Sequence, residues 1–230
     1  MTVRTDPPLS SPPPPARYDL VVFDWDGTLF DSTALIARCL QAACADLGVE
    51  VPSDADARHV IGLGLHDALR HAVPALTPER TPEFVERYRQ HFRASEHSVG
   101  LFAGMRELLA ELSQARVLGI ATGKSRRGLD RSLESTGLRA YFQASRCADE
   151  THPKPHPAML LELMKELDCG SENMLMIGDT SHDLEMARSA GVDALAVTYG
   201  AHPEQNLRSC GPRGCVGSVA ELSEWLRQHG

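Results

Sequence analysis

The sequence predicts an α/β protein: a doubly wound parallel, Rossmann-like sheet core with an inserted all-helical cap domain. Three observations carry this. From Gly104 onward, apolar runs of strand length alternate with amphipathic stretches of helical period. Between residues 32 and 99 the apolar positions recur only at helical spacing. The first apolar run, Leu20-Val21-Val22-Phe23, precedes those helices, so they interrupt a sheet that resumes after them. The division expected is a core of residues 18–31 and 100–230 and a cap of residues 32–99.

Residues 1–17, with Pro7, Pro8 and Pro12 to Pro15, read as a disordered Pro-rich tail. Leu20–Phe23 is rich in valine and bounded by polar residues, which predicts a fully buried strand. Ile36, Leu40, Ala43 and Leu47 predict a first cap helix, widened by Leu35 and Cys39 and ended by Gly48. Ser53 caps a short helix through Val60, Gly62-Leu63-Gly64 breaks the pattern, Leu65–Val73 resumes it, and Phe84 to Ser95 mark a fourth helix. The linkers at Asp31 to Thr33 and near Gly100 would then be hinges.

In the core, Met105–Leu112 predicts a helix and Arg116–Ala121 a buried strand. Ser125–Thr136 predicts a helix closed by Gly137. Strands are expected over Tyr141–Ser145, Asn173–Ile177 and Asp193–Val197, with helices over Ala158–Leu167, His182–Ala190 and Val219–Gln228.

Composition excludes several functions. The chain has 230 residues, 42% of them hydrophobic, which is enough for one large domain with a smaller insert. A net charge of −8 argues against a general affinity for nucleic acid or anionic membrane, both of which need a basic surface. No apolar stretch approaches the ~20 residues needed to cross a bilayer. The first residues lack the apolar core of a secretory signal, so a cytoplasmic protein with six reduced cysteines is expected. Cys210 and Cys215 lack the second pair of ligands a zinc site needs.

Ligands on such a sheet sit at the carboxyl ends of its strands. The first strand ends in Asp24-Trp25-Asp26-Gly27-Thr28, two carboxylates at the edge of a hydrophobic core. Side by side there, they need a cation, a hydrogen-bond network or a shared proton. The second ends in Thr122-Gly123-Lys124-Ser125, a glycine-opened turn that points N–H groups and a helix N-terminus at an anion. Thr122 by itself would be an ordinary helix cap. The Asn173–Ile177 strand leads into Gly178-Asp179-Thr180-Ser181-His182-Asp183. Lys154 stands in the proline-stiffened run His152-Pro153-Lys154-Pro155-His156-Pro157. One rim thus collects four carboxylates, a lysine, a hydroxyl and an anion-binding turn. Oxygen-only ligands favour Mg²⁺ over zinc, and such a set suits phosphoryl transfer.

On these four motifs, in this order, the chain resembles the haloacid dehalogenase-like hydrolases over roughly residues 18–228. It is most similar to phosphoglycolate phosphatase-like members with a helical cap. The resemblance implies that Asp24 is the nucleophile forming an aspartyl-phosphate. Asp26 would protonate the leaving group and then activate water, lending Mg²⁺ only its backbone carbonyl. Thr122 and the Gly123 amide would hold the phosphoryl oxygens, and Lys154 would neutralise them. Asp24, Asp26, Asp179 and Asp183 would hold Mg²⁺, with Asp183 alternatively orienting Lys154. Gly27, Thr28, Gly123 and Lys124 would meet substrate from the core, and Arg58, His59 and Gly62 from the cap loop. The second aspartate, absent in dehalogenases, argues for phosphate chemistry.

The function expected is Mg²⁺-dependent hydrolysis of a small phosphorylated metabolite by a monomer or homodimer, with phosphoglycolate the leading substrate. A pyrophosphatase, a sugar-phosphate phosphatase and a β-phosphoglucomutase share the chemistry. A non-catalytic binding scaffold on the same fold would have lost a motif residue, and none is lost.

Overall fold

The computed structural model describes residues 17–229, so the Pro-rich tail, apart from Arg17, lies outside the described residues. Six strands form the core sheet: β1 (Leu20–Phe23), β2 (Val117–Thr122), β3 (Ala144–Cys147), β4 (Met174–Gly178), β5 (Asp193–Val197) and β6 (Gly214–Val216). Every pairing is parallel, in the order β3-β2-β1-β4-β5-β6. Phe23, the last residue of β1, lies level with Ile120 of β2 and Ile177 of β4, which run only two and one residues further, so the three central strands present their following loops on one rim.

Side-chain alternation divides the core into two layers. Val21 and Phe23 join Leu118, Ile120, Leu175 and Ile177 under α5 (Met105–Leu112), α6 (Arg126–Thr136) and α10 (Val219–His229). Leu20 and Val22 join Met174 and Met176 under α7 (Ala158–Glu166), α8 (Ser181–Ala190) and α9 (Glu204–Ser209). Burying a residue such as Leu118 or Ile177 contributes roughly 1.5–3 kcal/mol, so the central strands are held from both faces.

Four helices, α1 (Thr33–Asp46), α2 (Asp54–His59), α3 (Leu65–Ala72) and α4 (Thr81–Ser95), surround a third apolar cluster built from Leu40, Ala43, Leu47, Leu69 and Phe84. Ser53 caps α2 by accepting from the Asp56 amide. The chain leaves and re-enters the core at adjacent points. Phe30 bridges Leu101, and the Asp31 amide donates to the Gly100 carbonyl at 2.8 Å.

One expectation needs correction, and two elements lie where none is expected. The third strand lies over Ala144–Cys147 rather than Tyr141–Ser145, because Arg139–Tyr141 form a 3-10 turn that tucks Tyr141 and Phe142 against the core. β3 is an edge strand whose Arg146 reaches Glu162 and Glu166, so its composition does not advertise it. The short α9 and β6 are additional elements, six and three residues long, too brief to establish a period. No helix of the described residues is long and apolar enough to cross a membrane. All six cysteines are free.

Candidate active site

The Asp24 backbone amide, one residue past β1, donates to the Ile177 carbonyl, which holds Asp24 against β4. Its carboxylate is 1% exposed, with Lys154 Nζ 2.7 Å from Oδ1. Oδ2 is buried without a hydrogen-bond partner among the described residues. Lys154 also stands 2.6 Å from Asp183 Oδ1. Burial pushes the Asp24 carboxyl up to about 7 even with Lys154 beside it. Burial opposes the Lys154 ammonium, but Asp183 and Asp24 more than offset it and hold the lysine above its ordinary value.

Asp183 does two jobs with two oxygens. Oδ2 accepts from the Thr180 amide at 3.0 Å and the Thr180 hydroxyl at 2.7 Å, closing the capping box of α8. Oδ1 is left for Lys154. Asp179 accepts from the Thr28 hydroxyl at 2.8 Å and the Ala201 amide at 2.7 Å. Burial, with Asp24 and Asp183 close by, holds its carboxyl well above the usual range. Gly27 makes this packing possible: at φ +83° it turns the chain, and a Cβ there would lie 2.2 Å from Asp179 Oδ2.

Asp24, Asp179 and Asp183 each place a carboxylate oxygen within 4.8 Å of the others, all buried. Three buried carboxylates against one lysine leave an excess of negative charge that burial penalises. With one Asp24 oxygen unpartnered, the oxygen-only set fits a hard divalent cation. The Asp26 side chain is not one of the three. Its Oδ1 accepts from the Ser32 hydroxyl at 2.6 Å, and its Oδ2 stands 3.0 Å from Lys124 Nζ, which also lies 5.2 Å above the Phe92 ring.

A chamber of about 550 Å³ separates this rim from the cap. Asp24, Asp26, Thr122, Gly123 and Lys124 line it from the core, and Gly62, Leu63 and residues of α1, α3 and α4 from the cap. A more open depression of about 800 Å³ runs along α6 between Arg126 and Ala140 but reaches none of the carboxylates.

Of the residues expected to touch substrate, Gly62, Gly123 and Lys124 line the chamber. Gly27 and Thr28 do not, because both are turned onto Asp179. Arg58 pairs with Asp54 at 2.8 Å and reaches Thr33, and so points along the cap. The His59 carbonyl accepts from His182 Nε2 at 2.9 Å and His202 Nε2 at 3.0 Å, which docks the end of α2 on the core. Ser32, His182 and His202 are unanticipated members of the site's surroundings. None carries a sequence signal, since each acquires its partner only in the folded chain.

A family model described as haloacid dehalogenase-like hydrolase matches residues 21–197. The chain is 37% identical over 210 residues to "Probable phosphatase IndB" of Dickeya dadantii, spanning 88% of this chain and 91% of that one. It is 34% identical over 215 residues to the N-acetylmuramic acid 6-phosphate phosphatase of Pseudomonas putida, spanning 90% and 95%. It is 28% identical over 216 residues to the phosphoglycolate phosphatase of Vibrio cholerae, spanning 89% and 95%.

Proposed function

The chain belongs to the haloacid dehalogenase-like hydrolases and is a phosphoric monoester hydrolase; from this premise we propose that it cleaves small-metabolite phosphomonoesters through an aspartyl-phosphate on Asp24, with Mg²⁺ bound. One observation carries the reading. Asp24 alone among the described residues both lines the chamber and belongs to the buried acidic triad.

Asp24, Asp179 and Asp183, with the Asp26 backbone carbonyl, would hold Mg²⁺, which when bound supplies positive charge to the transferring phosphoryl group. An Asp24 oxygen attacks phosphorus and the leaving oxygen departs toward the chamber. Asp26 protonates that oxygen, then takes a proton from the water that attacks the acyl-phosphate, releasing phosphate and restoring Asp24. The Ser32 hydroxyl and Lys124 hold the Asp26 carboxylate at the chamber wall for both transfers. Thr122 and the turn leading into α6 offer a hydroxyl and backbone N–H groups to the phosphoryl oxygens. Lys154 balances their charge from the far side of Asp24, and Asp183 fixes its direction.

Phosphoglycolate, the leading substrate on resemblance, belongs in the first assay beside the sugar-acid phosphate named for the Pseudomonas relative. Release of inorganic phosphate in the presence of Mg²⁺ separates hydrolysis from mutase activity. Asp24→Asn, isosteric and one charge lighter, should fold and bind substrate but lose several orders of magnitude in kcat. Activity that survives this change would sink the mechanism.

A further inference from the structure

The chamber is built for more than glycolate. At about 550 Å³ it falls in the range of pockets that enclose whole small ligands. Its cap side carries an apolar wall: Ile36 and Leu40 from α1, Leu65 and Leu69 from α3, and Tyr88 and Phe92 from α4 all line it. A two-carbon carboxylate has a single methylene to set against that wall. A leaving group that enters the chamber without covering the wall forgoes the hydrophobic part of its binding free energy.

Charge at the same chamber narrows the choice. Arg89 and Arg93, one turn apart on α4, and Arg127 on α6 line it from opposite sides. Among the described residues none of the three makes an ion pair or a side-chain hydrogen bond, in a chain of net charge −8. The neighbouring Arg131 differs, because Glu96 holds it across the gap between core and cap. Lys124 is likewise committed to Asp26. Of the acidic residues that also line the chamber, Asp24 and Asp26 pair with Lys154 and Lys124, Glu96 with Arg131 and Asp67 with Arg70, and Asp149 accepts from the Arg126 amide. The charge left unpaired is that of the three arginines, and arginine matches a planar carboxylate in both charge and geometry.

We propose that the substrate is a phosphomonoester whose leaving group has a ring-sized apolar body and a second anionic group, a carboxylate. The body lies against Tyr88, Phe92 and the α1–α3 wall, and the carboxylate is met by Arg89, Arg93 and Arg127. This rests on the phosphatase reading above and specifies what that phosphatase accepts. Binding energy from the body and the carboxylate is spent far from phosphorus and orients the ester for attack.

Three alkyl esters of comparable leaving-group chemistry separate the contributions: phosphoglycolate, benzyl phosphate and 4-carboxybenzyl phosphate. With the full chain and Mg²⁺, kcat/KM for 4-carboxybenzyl phosphate should exceed each of the others at least tenfold. In the variant combining Arg89→Ala, Arg93→Ala and Arg127→Ala, the ratio of the carboxylated to the plain benzyl ester should fall toward one, mostly through KM, with Tm unchanged. Phosphoglycolate as the best of the three, or a carboxylate ratio that the triple variant leaves intact, overturns the inference while the phosphatase reading stands. Phosphate release from none of the three, with no binding of 4-carboxybenzyl phosphate to the folded Asp24→Asn variant by calorimetry, overturns both.

Discussion

Gly123 is the residue at which the cap meets the reaction centre. A Cβ there would stand 2.5 Å from the carbonyl oxygens of both Gly62 and Leu63, backbone atoms that cannot rotate away. Gly123→Ala therefore has to push the cap loop off the rim. Because the clash lies outside both core layers, Tm should change little. Because misplacement near a reacting centre by about 1 Å can cost on the order of a hundredfold, kcat/KM should fall by at least tenfold. Native kinetics in this variant would show that the loop is not pressed onto Gly123 in solution. At this scale the sequence is legible where chemistry announces itself through spacing. Asp24, Thr122 and Asp179 are found because an apolar run stops and a polar group follows, and Lys154 because prolines on both sides stiffen its loop. Partnerships are not legible. Nothing in the chain says that Lys124 reaches Asp26, that the Thr28 hydroxyl serves Asp179, or that His182 and His202 share the His59 carbonyl.

Helix α8 shows how an element's own requirements position a reactive group. Its first four amides have no partner within the helix. Thr180 and Asp183 answer this with a reciprocal capping box, and the geometry that closes the box turns the other Asp183 oxygen toward Lys154. Loss of such a cap typically costs about 1 kcal/mol, with a range of roughly 0.5–2 kcal/mol. Thr180→Ala should destabilise by that amount in urea titration. It should also weaken Mg²⁺ binding, since Asp183 loses the hydroxyl that steadies it, while Thr180→Ser should restore both. Mg²⁺ affinity unchanged by Thr180→Ala would mean that the box serves the helix alone. Elements with a buried face and a long enough period are legible: α5 and β5 begin and end where the pattern predicts. α9 and β6 are missed because they are too short to show a period, and β3 is displaced for a reason of its own. At the edges of a sheet fewer side chains are buried, and the apolar pattern fades with them.

Taken over the whole molecule, the structure places its most expensive charges at one point, where α8, β1 and the Lys154 loop converge. Burial raises Asp24 to about 7 and holds Asp179 well above its ordinary value. A carboxyl whose folded pKa is raised keeps its proton more tightly in the folded chain than in the unfolded one. Its contribution to stability is present below the unfolded value of about 4 and is lost as pH climbs through the folded value. Without metal, the stability of the protein should therefore decline between pH 4 and about 7 on account of these groups. Mg²⁺ held by the triad would bind the ionised carboxylates and so compete with the proton. At a hundredfold excess over Kd, a ligand specific for the folded state adds about 2.7 kcal/mol, or several degrees of Tm in a chain of this size. Competition lowers the effective affinity at low pH. The difference in Tm with and without Mg²⁺ should accordingly be larger at pH 8 than at pH 5. Asp24→Asn should flatten that dependence, because the amide has no proton to lose. Thermal unfolding across this pH range, with the metal added or chelated, reads the difference directly. An Mg²⁺ shift that is equal at the two pH values, or larger at pH 5, would mean that the buried triad does not bind the ion.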